Sequence, residues 1–228
     1  YRPRFSREQR SPQVTKSGTF YYPMWLAYAC GTAQKAGHQC LLLDAVADEL
    51  TVDDIVKKIR PESPQLIVVI CSTPSIYNDV QVTEQLKRAF PESRTVLVGT
   101  HVSALPKESV ELSESVDAAA KGEYELIVRE LADAIEQGKS WDHIRGLTFR
   151  RGKEIISNPG MQLPEDLDSI PFVASVYKQF LEVEKYGYST IQHPMLTLNT
   201  SRGCASKCTF CVYIEVFSKR IIRRRSAR

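Results

Sequence analysis

The chain has 228 residues, of which 43% are hydrophobic and 25% are charged. This composition is typical of globular proteins and unlike that of disordered or fibrous chains. A chain of this length forms one sizeable domain or two small ones and can fold without disulfides. Its longest wholly apolar runs, Met24–Cys30 and Leu66–Cys71, are far shorter than the ~20 residues that span a bilayer, so no membrane span is expected.

The first half of the chain alternates predicted helices and strands. Residues 1–19 show no hydrophobic period and predict a loop. Helices are predicted at 22–36, 52–59, 80–90 and 123–136, and strands at 40–43, 66–71, 95–98 and 117–120. The segment 66–71 is almost wholly β-branched or leucine, which is typical of a central strand buried on both faces. The alternation predicts an α/β fold, a Rossmann-like doubly wound parallel sheet with helices on both faces.

A different pattern follows Gly138. Residues 146–156 predict a small hairpin, and the proline-containing stretch 158–194 predicts a linker with one helix at 173–186. Met195–Leu198 predicts the first strand of a further unit. The expected organisation is a Rossmann-like domain at 1–138 that lacks its first strand, a hairpin and linker at 139–194, and the start of another domain at 195–228.

The formal net charge of +3 comes from the C-terminal end of the chain. Residues 218–228 contain six basic residues and no acidic ones, and without those six the formal charge would be −3. A tail of this kind predicts a nucleic-acid-binding arm or a chain that ends inside a domain. No apolar segment with a cleavage site opens the sequence, so a cytoplasmic protein is expected.

Three of the six cysteines lie within eight residues. Cys204, Cys208 and Cys211 have the spacing C-x3-C-x2-C. Thiolates suit iron–sulfur chemistry, and three of them on one loop could bind three corners of a cluster and leave one iron open to another ligand. The alternatives are a zinc site completed by His193 and a group of buried thiols.

The cysteine spacing resembles the signature of the radical S-adenosylmethionine (SAM) superfamily, C-x3-C-x-aromatic-C, with Phe210 as the aromatic residue. The resemblance implies a 4Fe–4S cluster held by Cys204, Cys208 and Cys211, with SAM on the open iron. It further implies an electron donor such as flavodoxin or ferredoxin, and cleavage of SAM into methionine and a 5′-deoxyadenosyl radical. Phe210 would lie beside the cluster and adenine, unless it only packs into the core.

The loops after the predicted strands are rich in small and polar residues. Ligands of open parallel sheets bind beyond the carboxyl ends of the strands, although strand-end loops commonly have this composition without binding anything. The candidate cofactor-binding residues in these loops are Ser72, Thr73, Gly99, Thr100, His101, Gly122 and Glu123.

The order of several segments resembles the cobalamin-binding domain that precedes the radical SAM domain in cobalamin-dependent radical SAM enzymes. The similar segments are Tyr22–Ala27, Ala36–Gln39, Val98–Pro106, Lys121–Glu125 and Glu165–Pro171. With the cysteine motif, the resemblance extends over about residues 20–225 and implies that 195–228 begins a truncated (β/α) radical SAM partial barrel. The D-x-H-x-x-G motif, whose histidine ligates cobalt in other cobalamin enzymes, is absent, so His101 is expected to hydrogen-bond the corrin or its tail.

The resemblance implies methyl transfer to an unactivated carbon of a small molecule, with the chain inactive on its own. An alternative is a radical SAM enzyme without cobalamin, such as a methylthiotransferase. That class binds a second cluster with three front-domain cysteines, for which Cys30, Cys40 and Cys71 could be nominated, although core roles are favoured for them. A non-enzymatic alternative is a nucleic-acid-binding module that uses the basic tail. Because Ile221–Arg228 resembles the arginine-rich stretch before the next helix in these enzymes, no nucleic acid partner is expected.

Overall fold

The fold is described from a computed structural model for residues 19–188, 190–211, 213–216 and 220–227. Residues 1–18 of the predicted loop at 1–19, and the tail residues Lys219 and Arg228, lie outside these ranges. The helices are α1 (Met24–Lys35), α2 (Val52–Ile59), α3 (Ile76–Ala89), α4 (Thr100–Ala104), α5 (Pro106–Glu111), α6 (Glu125–Glu136), α7 (Ala174–Phe180) and α8 (Tyr213–Val216). The strands are β1 (Leu66–Ile70), β2 (Arg94–Val98), β3 (Ala118–Ala120), β4 (Leu147–Arg151), β5 (Glu154–Ser157), β6 (Ser201–Arg202) and β7 (Arg223–Arg224).

Five strands form one sheet in the order β1-β2-β3-β4-β5. The first three strands are parallel, and the hairpin of β4 and β5 continues the sheet with antiparallel pairing to β3. The α/β class and the Rossmann-like parallel core are therefore confirmed. The predicted hairpin also forms, but it belongs to the sheet rather than to a separate linker.

Helices cover both faces of this sheet. Successive side chains of a strand point to opposite faces, and β2 follows this rule. Val96 and Val98 share a buried cluster with Leu131 of α6 on one face. Leu97 shares another cluster with Val102 of α4 on the opposite face. Four of the five residues of β2 and all three residues of β3 are buried, so these two strands are covered on both faces.

The helix α2 has the predicted bounds because its N-terminus is capped. The Thr51 hydroxyl accepts a hydrogen bond from the Asp54 amide, and the Asp54 carboxylate accepts one from the Thr51 amide.

The helix α3 begins at Ile76 rather than at the predicted residue 80. Polar residues in its first turn hid the hydrophobic period, and one of them, Asp79, is buried because it accepts a hydrogen bond from the Ser75 hydroxyl.

The strand β1 lies at the edge of the sheet, so its predicted central position is wrong. Only Ile67 of its five residues is buried. The predicted neighbouring strand Cys40–Leu43 forms no ladder in the described part of the chain. Instead, this segment and β1 both line a cavity of about 1410 Å³, together with parts of α1, α2, α3 and α6.

The predicted strand Met195–Leu198 also forms no ladder among the described residues. Its carbonyl groups bind tyrosine hydroxyls instead of another strand. The Met195 carbonyl accepts a hydrogen bond of 2.7 Å from Tyr22, and the Thr197 carbonyl accepts one of 3.4 Å from Tyr177. The short β6, which follows, pairs antiparallel with β7.

The linker packs against the segment that precedes α1 through aromatic rings. The Tyr22 ring is stacked on Tyr177 of α7 and on Tyr186, with ring centroids 4.4 and 4.2 Å apart. The predicted linker helix at 173–186 is thus only partly formed, as α7 and a 3-10 turn at Val183–Lys185. Among the described residues, no helix has the length and apolar character needed to cross a membrane.

Candidate cofactor-binding site

The carboxyl ends of the three parallel strands meet at one edge of the sheet. Ile70 of β1 is in register with Val98 of β2, and Val98 with Ala120 of β3. All seven predicted cofactor contacts of the front domain follow these strand ends closely, five of them in loops and two, Thr100 and His101, in the first turn of α4. The topology therefore brings these residues together at the edge where α/β proteins bind ligands.

The loop after β1 is organised by a chain of buried hydroxyl groups. The Ser72 and Ser75 hydroxyl oxygens are 2.9 Å apart, and the Ser75 hydroxyl donates to Asp79 at 2.6 Å. The Ser72 side chain is buried and shapes the loop. The Thr73 side chain is exposed and lies beside His101 of the next loop.

His101 joins the first two loops of the edge. Its Nδ1 atom is 3.2 Å from the Thr73 hydroxyl oxygen. Partial burial lowers the pKa of His101 below its ordinary value, against the opposing charge of Glu108. A neutral imidazole can donate one hydrogen bond and accept another, which suits contacts to amide groups of a large cofactor. Thr100, the preceding residue, is exposed at the same edge.

Gly99 is required by the close approach of β2 and the loop after β1. Its φ angle is +113°, and a Cβ atom there would lie 2.3 Å from the carbonyl oxygen of Cys71. The Ser103 hydroxyl donates to the Gly99 carbonyl at 2.7 Å and accepts a hydrogen bond of 2.8 Å from the Gly122 amide. This single side chain therefore connects the loops after β2 and β3.

Glu123 has a different environment from the other predicted contacts. Its carboxylate is fully buried and accepts hydrogen bonds of 2.9 Å from Arg202 and 3.1 Å from Arg223. Because the side chain is already committed to these partners, a cofactor could contact Glu123 only through its main chain. Sequence reasoning missed Arg202 since its partner is 79 positions away and an isolated arginine before a cysteine motif carries no signal of burial.

The three clustered cysteines lie on an exposed loop between β6 and α8. Cys204 is half-buried, Cys208 and Cys211 are exposed, and none forms a disulfide. Hydrogen bonds from the amide and hydroxyl of Ser206, together with the charge of Arg220, lower the pKa of the Cys204 thiol. Within the described ranges, no three Cys, His, Asp or Glu side chains are gathered into a group that could hold a metal.

The donor set on this loop nevertheless suits an iron–sulfur cluster, since its three thiols are free and close in sequence. Phe210, two residues after Cys208, is 79% exposed, so it is not a core residue in this structure. The edge of the sheet that carries the candidate cofactor contacts, here called the cofactor edge, lies near this loop. The helix α4, which follows β2, contacts α8, which follows the cysteine loop. The exposed threonines and small residues of that edge fit a large polar ligand such as cobalamin.

Known proteins resemble this chain in sequence and in three-dimensional structure. Residues 11–132 match the B12 binding domain family. The chain is 29% identical over 203 residues to an uncharacterized methyltransferase of Pyrococcus horikoshii, covering 89% of the chain and 43% of that protein. It is 28% identical over 193 residues to an anaerobic magnesium-protoporphyrin IX monomethyl ester cyclase of Cereibacter sphaeroides, covering 83% of the chain and 31% of that protein. The chain spans less than half the length of these relatives.

Among solved structures, the chain is similar to the cobalamin-dependent S-adenosylmethionine radical enzyme OxsB with aqua-cobalamin and S-adenosylmethionine bound. The TM-score is 0.75 at 18% identity, over 92% of the chain and 28% of that protein. At this identity the similarity establishes the shared fold.

Proposed function

Since the chain belongs to the B12 binding domain family and fits the cobalamin-dependent radical SAM enzymes, we propose that it is the cobalamin-holding part of such an enzyme. The proposed reaction is reductive cleavage of SAM followed by methyl transfer to an unactivated carbon of a small molecule. The observation that carries this proposal is the carboxyl edge of the sheet, where three linked loops lie next to the cysteine loop.

Each residue of the edge has a proposed task in holding cobalamin. Thr73, Thr100 and His101 would offer side-chain hydrogen bonds, because they are exposed or half-buried at the edge. Gly99 and Gly122 would let the corrin or its tail approach the main chain. Ser72 and the Glu123 carboxylate would keep the loops in shape from inside the protein.

Cys204, Cys208 and Cys211 would hold a 4Fe–4S cluster, with Phe210 beside it. When bound, the cofactors supply the reductive cleavage of SAM and the methyl group that is transferred. The Ser206 hydrogen bonds favour the thiolate form of Cys204 that a metal requires. A flavodoxin or ferredoxin would supply the electron. We propose a division into 1–138 for cobalamin, 139–194 as hairpin and linker, and 195–228 as the start of the radical SAM domain, with the strands of the hairpin extending the front sheet.

Two observations disfavour the alternatives. The tail arginines Arg223 and Arg225 are engaged inside the protein, with Glu123 and with the Ile170 carbonyl, which leaves less charge for a nucleic acid. A methylthiotransferase would use Cys30, Cys40 and Cys71 for a second cluster. Cys71 is fully buried and shares a core cluster with Ile76 and Val80, whereas Cys30 and Cys40 are hydrogen-bonded to each other.

The test uses the full-length protein, reconstituted under anaerobic conditions. We expect saturable cobalamin binding in an absorbance titration, about four irons per chain as a 4Fe–4S cluster requires, and reductive formation of 5′-deoxyadenosine. Replacing Cys204, Cys208 or Cys211 with alanine should abolish SAM cleavage and leave cobalamin binding intact. Cys71→Ala is the matched control and should retain both. Continued SAM cleavage in the Cys204→Ala protein would refute the cluster assignment.

A further inference from the structure

A buried group of four charged side chains joins the cobalamin-type domain to the C-terminal segment. The carboxylates of Glu123 and Glu125 are fully buried, and the guanidinium groups of Arg202 and Arg223 are 2% and 9% exposed. Arg202 binds both carboxylates, and Arg223 binds Glu123 and donates to the Pro164 carbonyl at 2.8 Å. Burial raises the pKa of Glu125 above its ordinary value, and the charge of Arg202 opposes this shift. With both carboxylates ionised, the two guanidinium groups balance their charge, which buried ions require.

Arg202 is also held by aromatic rings. Its guanidinium carbon is 4.5 Å from the centroid of the Trp25 ring and 4.6 Å from that of the Tyr28 ring, both on α1. Burial alone would lower the pKa of Arg202, but the charges of Glu125 and Glu123 raise it above its ordinary value. The guanidinium therefore stays charged. One terminal nitrogen, Nη1, donates to both carboxylates, and the flat face of the group lies over the two rings.

The position of Arg202 in the chain links the two parts of the proposed site. Glu123 directly follows Gly122, whose amide is bound to Ser103 at the cofactor edge. Arg202 is separated from Cys204 by Gly203 alone. A hydrogen-bonded path therefore runs from the loop after β2, through the loop after β3, to the residue that starts the cysteine loop.

We propose that Arg202 is a positioning residue which, held by Glu123 and Glu125, fixes the start of the cysteine loop relative to the cobalamin edge of the sheet. The inference rests on the proposed function, because it concerns the relative placement of the two cofactors that this function requires. A loop of exposed residues has little packing of its own, so a buried anchor at its first residues determines where it lies. An ammonium group would keep the charge, but it has no flat face to lie over the Trp25 and Tyr28 rings.

The experiment compares Arg202→Met and Arg202→Lys in the full-length protein with the wild type. The first readout is hydrogen exchange of the cofactor-free protein. We expect amides at 199–204 to exchange about tenfold or more faster in Arg202→Met, to a lesser extent in Arg202→Lys, and at unchanged rates in β2. The second readout is the distribution of cobalt-to-cluster distances, measured by pulsed electron paramagnetic resonance on the reduced protein loaded with both cofactors. Arg202→Met should broaden it, and Arg202→Lys should partly restore it.

The matched control is Arg151→Met, since the ion pair of Arg151 with Asp142 is about half exposed and lies on the hairpin. It should behave as the wild type in both readouts. Iron content should be unchanged in all variants, because no proposed ligand of the cluster is altered. An Arg202→Met protein with wild-type exchange at 199–204 and a wild-type distance distribution would overturn the inference. If Arg202→Met does not fold, Arg202→Lys decides in the same way.

The two proposals fail differently. A wild-type protein that takes up neither cobalamin nor iron would refute the proposed function. Hydrogen exchange on the same cofactor-free protein would then still support or overturn the anchoring of 199–204 by Arg202. Normal loading with unaltered exchange and distances in Arg202→Met would refute the positioning role alone.

Discussion

At the cofactor edge, the residues have two different structural roles. Some present polar atoms outward, as Thr73 and Thr100 do, and others set the path of the main chain from inside, as Gly99, Ser103 and Gly122 do. The order of the predicted strands indicated that these segments lie at the edge. It could not separate outward-facing residues from inward-facing ones, because that difference depends on which side chains the neighbouring segment covers.

Gly99→Ala should destabilise the fold more than an alanine at another glycine with positive φ. The new Cβ would lie 2.3 Å from the Cys71 carbonyl oxygen, and the backbone conformation, with φ +113° and ψ −172°, is nearly restricted to glycine. We expect a loss of at least about 2 kcal/mol in the free energy of unfolding, measured by urea denaturation. Gly138→Ala is the control, with φ +62° and nothing within 4 Å of a new Cβ. Equal losses in the two variants would contradict this explanation.

His101 should make stability depend on pH in a defined direction. Burial lowers its pKa in the folded state, so the unfolded chain binds the proton more tightly. Its contribution to stability is fully present above the unfolded pKa of about 6.5 and is lost as pH falls towards the folded value. Nuclear magnetic resonance titration of the imidazole should give a pKa below 6.5, and His101→Gln should reduce the loss of stability between pH 7 and 5. The explanation fails if wild type and His101→Gln lose stability equally over that range.

At the scale of elements, the helices were easier to predict than the strands. The helices α1, α2 and α6 have local signals, namely an apolar stripe, a cap, or a glycine after the last turn. Whether an apolar run pairs as a strand depends on neighbours far away in the chain. Cys40–Leu43 and Met195–Leu198 have strand composition, but in the described residues their neighbours are a cavity and tyrosine hydroxyls.

Thr51→Ala should weaken α2 specifically. This helix has no fully buried residue, so its stability depends more than usual on its cap. Loss of the capping hydroxyl should lower the free energy of unfolding by about 1 kcal/mol. Hydrogen exchange should show faster exchange in the first turn of α2, while α6 is unaffected. Asp53→Asn, at an exposed position outside the capping box, is the control, and a loss as large as that of Thr51→Ala would argue against the cap.

For the whole molecule, the class of fold and the order of its parts were predictable, but not the contacts between the parts. The two-sided burial of the sheet follows from apolar strands between amphipathic helices. The contacts of the linker and the C-terminal segment with α1 depend on a few tyrosines and arginines whose partners are more than 70 residues away. No periodic pattern records such pairs, so Arg202 was missed and Glu123 was assigned only an outward role.

Tyr22 should be one of the residues that join the linker to the domain. Burial raises its pKa to about 12, so the hydroxyl remains protonated and donates to the Met195 carbonyl. Tyr22→Phe should cost about 1 kcal/mol of unfolding free energy, and Tyr22→Ala about 3–5 kcal/mol, since the stacked ring is also lost. Limited proteolysis should cut the region 187–199 faster in Tyr22→Ala. Tyr77→Phe, whose side chain is 73% exposed, is the control. Wild-type proteolysis of Tyr22→Ala would show that the stack does not hold the linker.

The buried group of Glu123, Glu125, Arg202 and Arg223 also limits how this protein can be divided for experiments. A truncation after residue 194 would follow a reasonable domain boundary, yet it would remove both arginines and keep both carboxylates. It would also uncover the faces of Trp25 and Tyr28 that Arg202 covers. The remaining piece would expose an acidic and aromatic surface that the intact chain never presents to solvent. We therefore expect the front domain to lose stability without the C-terminal segment, and a chimaera that exchanges it between relatives should transfer residues 202 and 223 with it.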